Sequence, residues 1–129
     1  MNKLLIAFAF VLSLFALAFG QSQAQEGKAW LDANQEPAAL NVTGLWQGGE
    51  WGRISLNQRD GGRRIIGTGD GWDISGVVSG NNVYLVLFHK EKIAYTAKLT
   101  AESPVLLTGV YASGLLSSNS KTRPLRLSK

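Results

Sequence analysis

Trp72-Asp73-Ile74-Ser75-Gly76-Val77-Val78-Ser79, then Gly80-Asn81, then Asn82-Val83-Tyr84-Leu85-Val86-Leu87-Phe88-His89 is the stretch that decides the fold. Its first part sets Trp72, Ile74, Gly76 and Val78 on one side and Asp73, Ser75 and Val77 on the other. A period of two is that of a strand half buried in a sheet. Gly80-Asn81 supplies the positive-φ pair of a tight hairpin. The last part is apolar on both faces, so the strand it predicts needs a cover on each side. With a free edge such a strand invites β-aggregation, and closing the sheet on itself removes the edge. The second face can be covered by the segment around Trp30 or by a partner chain.

The same alternation continues outward in both directions. Ile54 and Leu56 alternate with Arg53, Ser55 and Asn57; Ile93, Tyr95, Ala97 and Leu99 with Ala94, Thr96 and Lys98. Leu107, Gly109 and Tyr111, then Leu125 and Leu127, repeat it. Eleven of the fifteen glycines fall between Gly44 and Gly80, and turn signals recur at Asp60-Gly61, Lys90-Glu91 and Ser103-Pro104. Predicted strands cover 44–48, 51–58, 63–69, 72–79, 82–90, 92–100, 105–112 and 122–128. Two-residue links cannot cross over to make parallel pairs. The expected fold is therefore all-β: an antiparallel up-and-down meander of about eight strands, closed or nearly closed into a small barrel. Eight strands of about eight residues with links of about three need roughly 85 residues, and 44–129 supplies them. A barrel of this size holds side chains or one small ligand. Trp46, Trp51, Trp72, Tyr84, Tyr95 and Tyr111 are available to fill it.

Composition narrows the function. A chain of 129 residues allows one small domain. No cysteine excludes a disulfide framework and thiolate metal centres, and a single histidine excludes a histidine cluster. Hydrophobic residues at 45% and charged ones at 17% describe a chain that folds. Lys3 precedes an apolar run, Leu4 to Phe19, broken only by Ser13 and followed by Gly20 and Gln21-Ser22-Gln23. This is shorter than the ~20 residues of a spanning helix and has small residues at cleavage spacing. Residues 1–24 are expected to be a secretory signal peptide cleaved after Gly20 or Ala24, the rival being an uncleaved anchor. The protein is then secreted or periplasmic, with no membrane span after cleavage. Residues 25–43, polar and interrupted by Pro37, are expected as a flexible lead-in with one turn of helix and Trp30 docked on the body. The domain proper is 44–129.

Val42-Thr43-Gly44-Leu45-Trp46 is an apolar-x-Gly-x-Trp entry into the first strand. It resembles the opening of lipocalin-like and avidin-like (calycin-type) barrels. The longer Gly44-Leu45-Trp46-Gln47-Gly48-Gly49-Glu50-Trp51-Gly52, running to Leu56-Asn57-Gln58, is similar to small exported bacterial proteins of unassigned role built from Trp/Gly-rich hairpins. The resemblance covers 44–80 and implies a β-meander fold. The lipocalin likeness also implies a basic residue near the last strand stacked on the entry tryptophan, here Arg123 or Arg126. The chain is shorter than a typical lipocalin, and the packed helix that follows a lipocalin barrel is not expected in it.

Gly67-Thr68-Gly69-Asp70-Gly71 is followed by a strand pattern, so it reads as a hairpin link rather than a phosphate loop. Asp60, Asp70 and Asp73 fall short of the oxygens a calcium site takes, and no metal or cofactor is expected. Glu50, Asp70 and Asp73 can converge at one barrel mouth. His89 stands at a strand end with no nucleophile elbow in the sequence, so no catalytic residue is assigned; hydrolase or isomerase activity is the lesser alternative. Arg59, Arg63 and Arg64, and Lys121, Arg123, Arg126 and Lys129, form basic clusters without interleaved aromatics, which gives nucleic acid no stacking platform. The expected function is non-enzymatic binding of a small apolar or amphipathic ligand at the mouth or aromatic surface, with Trp46, Trp51, Trp72, Tyr84 and Tyr95 as contacts. The alternative is a structural or interaction module of the bacterial envelope, with a protein partner or self-association through strand 82–90.

Overall fold

The computed structural model describes residues 22–59 and 62–129. The expected leader, apart from residues 22–24, and the hairpin tip Asp60-Gly61 lie outside the described residues. Helix α1 (Gln23–Asp32) leads into eight strands: β1 (Gly44–Gln47), β2 (Arg53–Gln58), β3 (Arg64–Gly69), β4 (Trp72–Ser79), β5 (Asn82–His89), β6 (Lys92–Ser103), β7 (Leu106–Ser113) and β8 (Arg123–Ser128). Every strand pairs antiparallel with the next, and β1 pairs with β8 at Gln47 and Ser128, so the meander closes into a barrel. Lys90 and Glu91 both take positive φ in the β5–β6 turn, as a two-residue hairpin of primed type requires.

The barrel interior is packed with side chains. Trp46, Ile54, Leu56, Ile65, Ile74, Val78, Leu85, Leu87 and Leu99 are essentially inaccessible and form one core. The packing depends on pairing large residues across small ones. Gly67 lies between Leu56 and Ile74, Gly76 between Ile65 and Leu85, and Gly109 between Leu99 and Leu125. A Cβ at Gly67 would meet Ser55 O at 2.5 Å and Leu56 Cδ2 at 2.8 Å, and one at Gly76 would meet Tyr84 O at 2.7 Å. Large side chains from neighbouring strands occupy the space over Gly67 and Gly76, as a tapering small barrel needs. Of the two interiors open from the sequence, the filled one is found.

Two expectations are corrected. Residues 25–43 hold more helix than the single turn expected, since α1 runs through Asp32. Ser22 caps α1 through a capping box with Gln25, and Leu31, 1% exposed, packs on Val77, Tyr84 and Val86 with Trp30, Phe88 and Ile93 around them. Gly27 lets the helix close on the sheet, since a Cβ there would stand 3.0 Å from Phe88. The outer face of β5 is thus covered within the chain. The second correction is Ile93. A bulge sets Leu87 opposite Tyr95 but Phe88 opposite Ile93, so Ile93 leaves the inward set of Tyr95, Ala97 and Leu99 and joins the outer cluster under α1. One extra residue on a strand flips every side chain beyond it.

Candidate functional site

The barrel has two different ends. At one, residues 36–43 form a strap across the opening. Ala39 N–H donates to Gly80 O at 2.9 Å and Gly80 N–H to Pro37 O at 3.0 Å. The Gln58 amide accepts from Val42 N–H at 2.9 Å and donates to Leu40 O at 3.0 Å. Trp46 Nε1 donates to Val42 O at 2.8 Å, and Lys129 Nζ lies 5.0 Å from the Trp46 ring centroid. The cation on the entry tryptophan is therefore Lys129, in place of the expected Arg123 or Arg126. Arg123 begins β8 at the opposite end, and Arg126 points outward beside Thr108.

The other end is open and aromatic. A 3-10 turn (Gly49–Trp51) replaces the expected start of β2 and folds Trp51 down over the core, where it is 6% exposed. Its ring centroid is 5.3 Å from that of Tyr111 and 6.3 Å from that of Tyr95. Tyr95 is 5.6 Å from both Tyr111 and Trp72, and Trp72 is 5.6 Å from His89. Most of these pairs are edge-to-face, the arrangement favoured by ring quadrupoles. Two depressions open above this cluster and meet at Tyr95 and Ser113. The larger, about 630 Å³, is bounded by Glu50, Tyr111, Lys121 and Arg123. The smaller, about 280 Å³, is bounded by Asp70, Trp72, His89 and Ala94.

The 114–122 connection walls the larger depression. Hairpin loops are mostly two to five residues, and longer connections on a rigid scaffold are where binding groups concentrate. Its base is fixed by Thr96, a fully buried hydroxyl that donates to Gly114 O at 2.8 Å and accepts Leu116 N–H at 2.8 Å. On the rim, Tyr111 OH donates to Glu50 Oε2 at 2.6 Å, and Arg123 approaches the same oxygen at 3.9 Å. The hydrogen bond to the Glu50 carboxylate raises the Tyr111 pKa above its ordinary value of 10.0; burial adds to the rise and the Arg123 side chain opposes it. Trp51 Nε1 is a buried donor without a partner among the described residues. His89, exposed at its strand end, has Nδ1 3.2 Å from Gly71 O.

Of the five aromatic contacts expected from the sequence, Trp51, Trp72 and Tyr95 come together here. Trp46 does not: it is buried at the strapped end. Tyr84 does not either, because it faces outward beneath α1, with its ring 5.6 Å from that of Trp30. Glu50 and Asp70 both reach the open end, whereas Asp73 points outward, opposite Phe88. Ser113 and Thr122 were not legible as site residues, since polar residues beside a loop are ubiquitous. Gly67 to Gly71 form the end of β3 and a two-residue turn into β4, with no helix behind them. Among the described residues, no group of three or more histidine or acidic side chains is placed to hold a metal ion, and no helix is long and apolar enough to cross a membrane. Comparison of the chain with protein-family models, curated proteins and solved structures gave no match.

Proposed function

We propose that this chain is an exported, non-enzymatic binding protein that holds a small amphipathic ligand at the open end of its barrel. The carrying observation is the edge-to-face cluster of Trp51, Trp72, Tyr95 and Tyr111 lying under two confluent depressions with a charged rim. Sites for small molecules are concave, mostly apolar and aromatic, with a few polar groups to fix orientation. Because the interior is filled, the ligand rests on the mouth and does not enter the barrel. Export is part of the same reading and is supported by the charged start and apolar run of residues 1–19. So is the likeness to lipocalin-type barrels, favoured by the up-and-down strand order and by the Trp46–Lys129 contact at the strapped end.

The test is a fluorescence titration of the purified protein with two related probes, the apolar N-phenyl-1-naphthylamine and its sulfonated counterpart 1-anilinonaphthalene-8-sulfonate. At least one is expected to bind saturably at one per chain. Tyr95→Ala should weaken that binding about tenfold or more, equivalent to about 1.4 kcal/mol. Ser113→Trp, which fills the junction of the depressions from an exposed strand end, should abolish it with the circular dichroism spectrum unchanged. Saturable binding by neither probe, or binding indifferent to Ser113→Trp, overturns the proposal.

A further inference from the structure

We infer that the ligand is an anion with an apolar ring, bound in one orientation: its carboxylate, sulfate or phosphate between Lys121 and Arg123, its ring over Tyr95 and Trp72. This rests on the binding function proposed above and adds the ligand's charge and its direction across the mouth.

Charge is divided between the two depressions. Lys121 and Arg123 both border the larger one. The acidic group there, Glu50, is already engaged, accepting from Tyr111 and facing Arg123. Lys121 forms no ion pair among the described residues. The larger depression therefore presents an uncompensated cation, with the Arg123 guanidinium beside it offering further N–H groups. The smaller depression carries the opposite sign, since Asp70 stands on its rim beside Trp72. An anionic group is drawn to the Lys121 side and repelled from the Asp70 side, which leaves the ring to lie over Trp72 and Tyr95.

Hydrogen-bonding chemistry points the same way. Around the larger depression the Lys121 ammonium and the Arg123 guanidinium can only donate, while the Tyr95, Ser113 and Thr122 hydroxyls on its lining can donate or accept. A ligand group that accepts can be met by each of these, and one that only donates cannot be met by the two cations. The backbone that carries these cations is also held in place. Thr96 fixes the start of the 114–122 connection, and β8 pairing with β7 at Arg123 and Tyr111 fixes its end.

The two naphthalene probes separate this inference from the function it rests on, because they share a ring system and differ by the sulfonate. The double variant Lys121→Gln, Arg123→Gln should weaken the sulfonated probe about tenfold and leave the apolar probe within about twofold. Raising salt from 20 to 500 mM should weaken only the sulfonated probe, because exposed charges are screened over a few ångströms at high ionic strength. Both substituted residues are exposed, so the fold should tolerate their loss. If the apolar probe binds and Ser113→Trp blocks it, but the double variant changes neither probe or both alike, the charge assignment is wrong and the binding function stands. If neither probe binds saturably, both fall together.

Discussion

At the scale of single residues, the open end turns on Tyr111. Its ring belongs to the aromatic cluster and its hydroxyl donates to Glu50 at 2.6 Å. Ionising this phenol would set a second negative charge against the carboxylate, so its pKa lies above the ordinary 10.0. A group with a raised folded-state pKa contributes stability below its unfolded value, and that contribution is lost as pH rises through the folded value. Wild type should therefore lose Tm as pH climbs past about 10, and Tyr111→Phe should remove the Tyr111 share of that alkaline loss. Absorbance titration at 295 nm provides the check: the variant should lack a tyrosine step lying above the ordinary value of 10.0. If instead an ordinary tyrosine step disappears, the hydrogen bond to Glu50 is not controlling the group.

At the scale of elements, α1 matters because β5 has no polar face. Val83, Leu85 and Leu87 point into the barrel while Tyr84, Val86 and Phe88 point out. The helix covers the outward set through Leu31 and Trp30, and Gln23 Oε1 accepts Ile93 N–H at the helix start. Truncating a fully buried leucine costs about 2–5 kcal/mol, and a carboxylate in its place adds a desolvation penalty. Leu31→Asp should release α1 while the barrel stays folded. Limited proteolysis would read this as rapid tryptic cleavage after Lys28, with a resistant fragment from the strands. Resistance at Lys28 equal to wild type would mean that α1 docks by contacts other than Leu31. The self-association expected through strand 82–90 is open only to molecules in which this helix has moved away.

At the scale of the whole molecule, the barrel is unevenly closed. β5 and β6 pair from Asn82–Thr100 to His89–Lys92, while β1 and β8 meet at Gln47 and Ser128 alone. Lys129 reinforces that seam from the side, with Nζ donating to Thr43 O at 2.9 Å, while its backbone N–H extends the β7–β8 ladder to Val105 O at 3.0 Å. Stability is not uniform in such a structure, and segments with few protected hydrogen bonds open at lower free energy than the core. Amide hydrogen exchange should show β1 and β8 exchanging first and β5 and β6 last. Lys129→Ala should accelerate exchange at the seam and leave the rate for β5 unchanged. Uniform protection around the barrel would show that the seam opens only with global unfolding.

The eight strands, their antiparallel order and most of the inward set were legible in the residues. A period of two, two-residue turn signals and the Gly67, Gly76 and Gly109 positions are local properties, and a strand's own chain carries them. The sequence likewise named Trp51, Trp72 and Tyr95, because large aromatics on short strands must either fill the interior or cap it. The local pattern could not say which end of the barrel each aromatic would occupy. That depends on strand direction and stagger, which sent Trp46 to the strapped end and Trp51, through its 3-10 turn, to the open one. The bulge that turned Ile93 outward, the docking of α1, and the meeting of Glu50, Tyr111 and Arg123 are equally products of tertiary structure. Each joins residues far apart in the chain or hinges on one extra residue in a ladder, and side-chain chemistry has no local record of its distant neighbours.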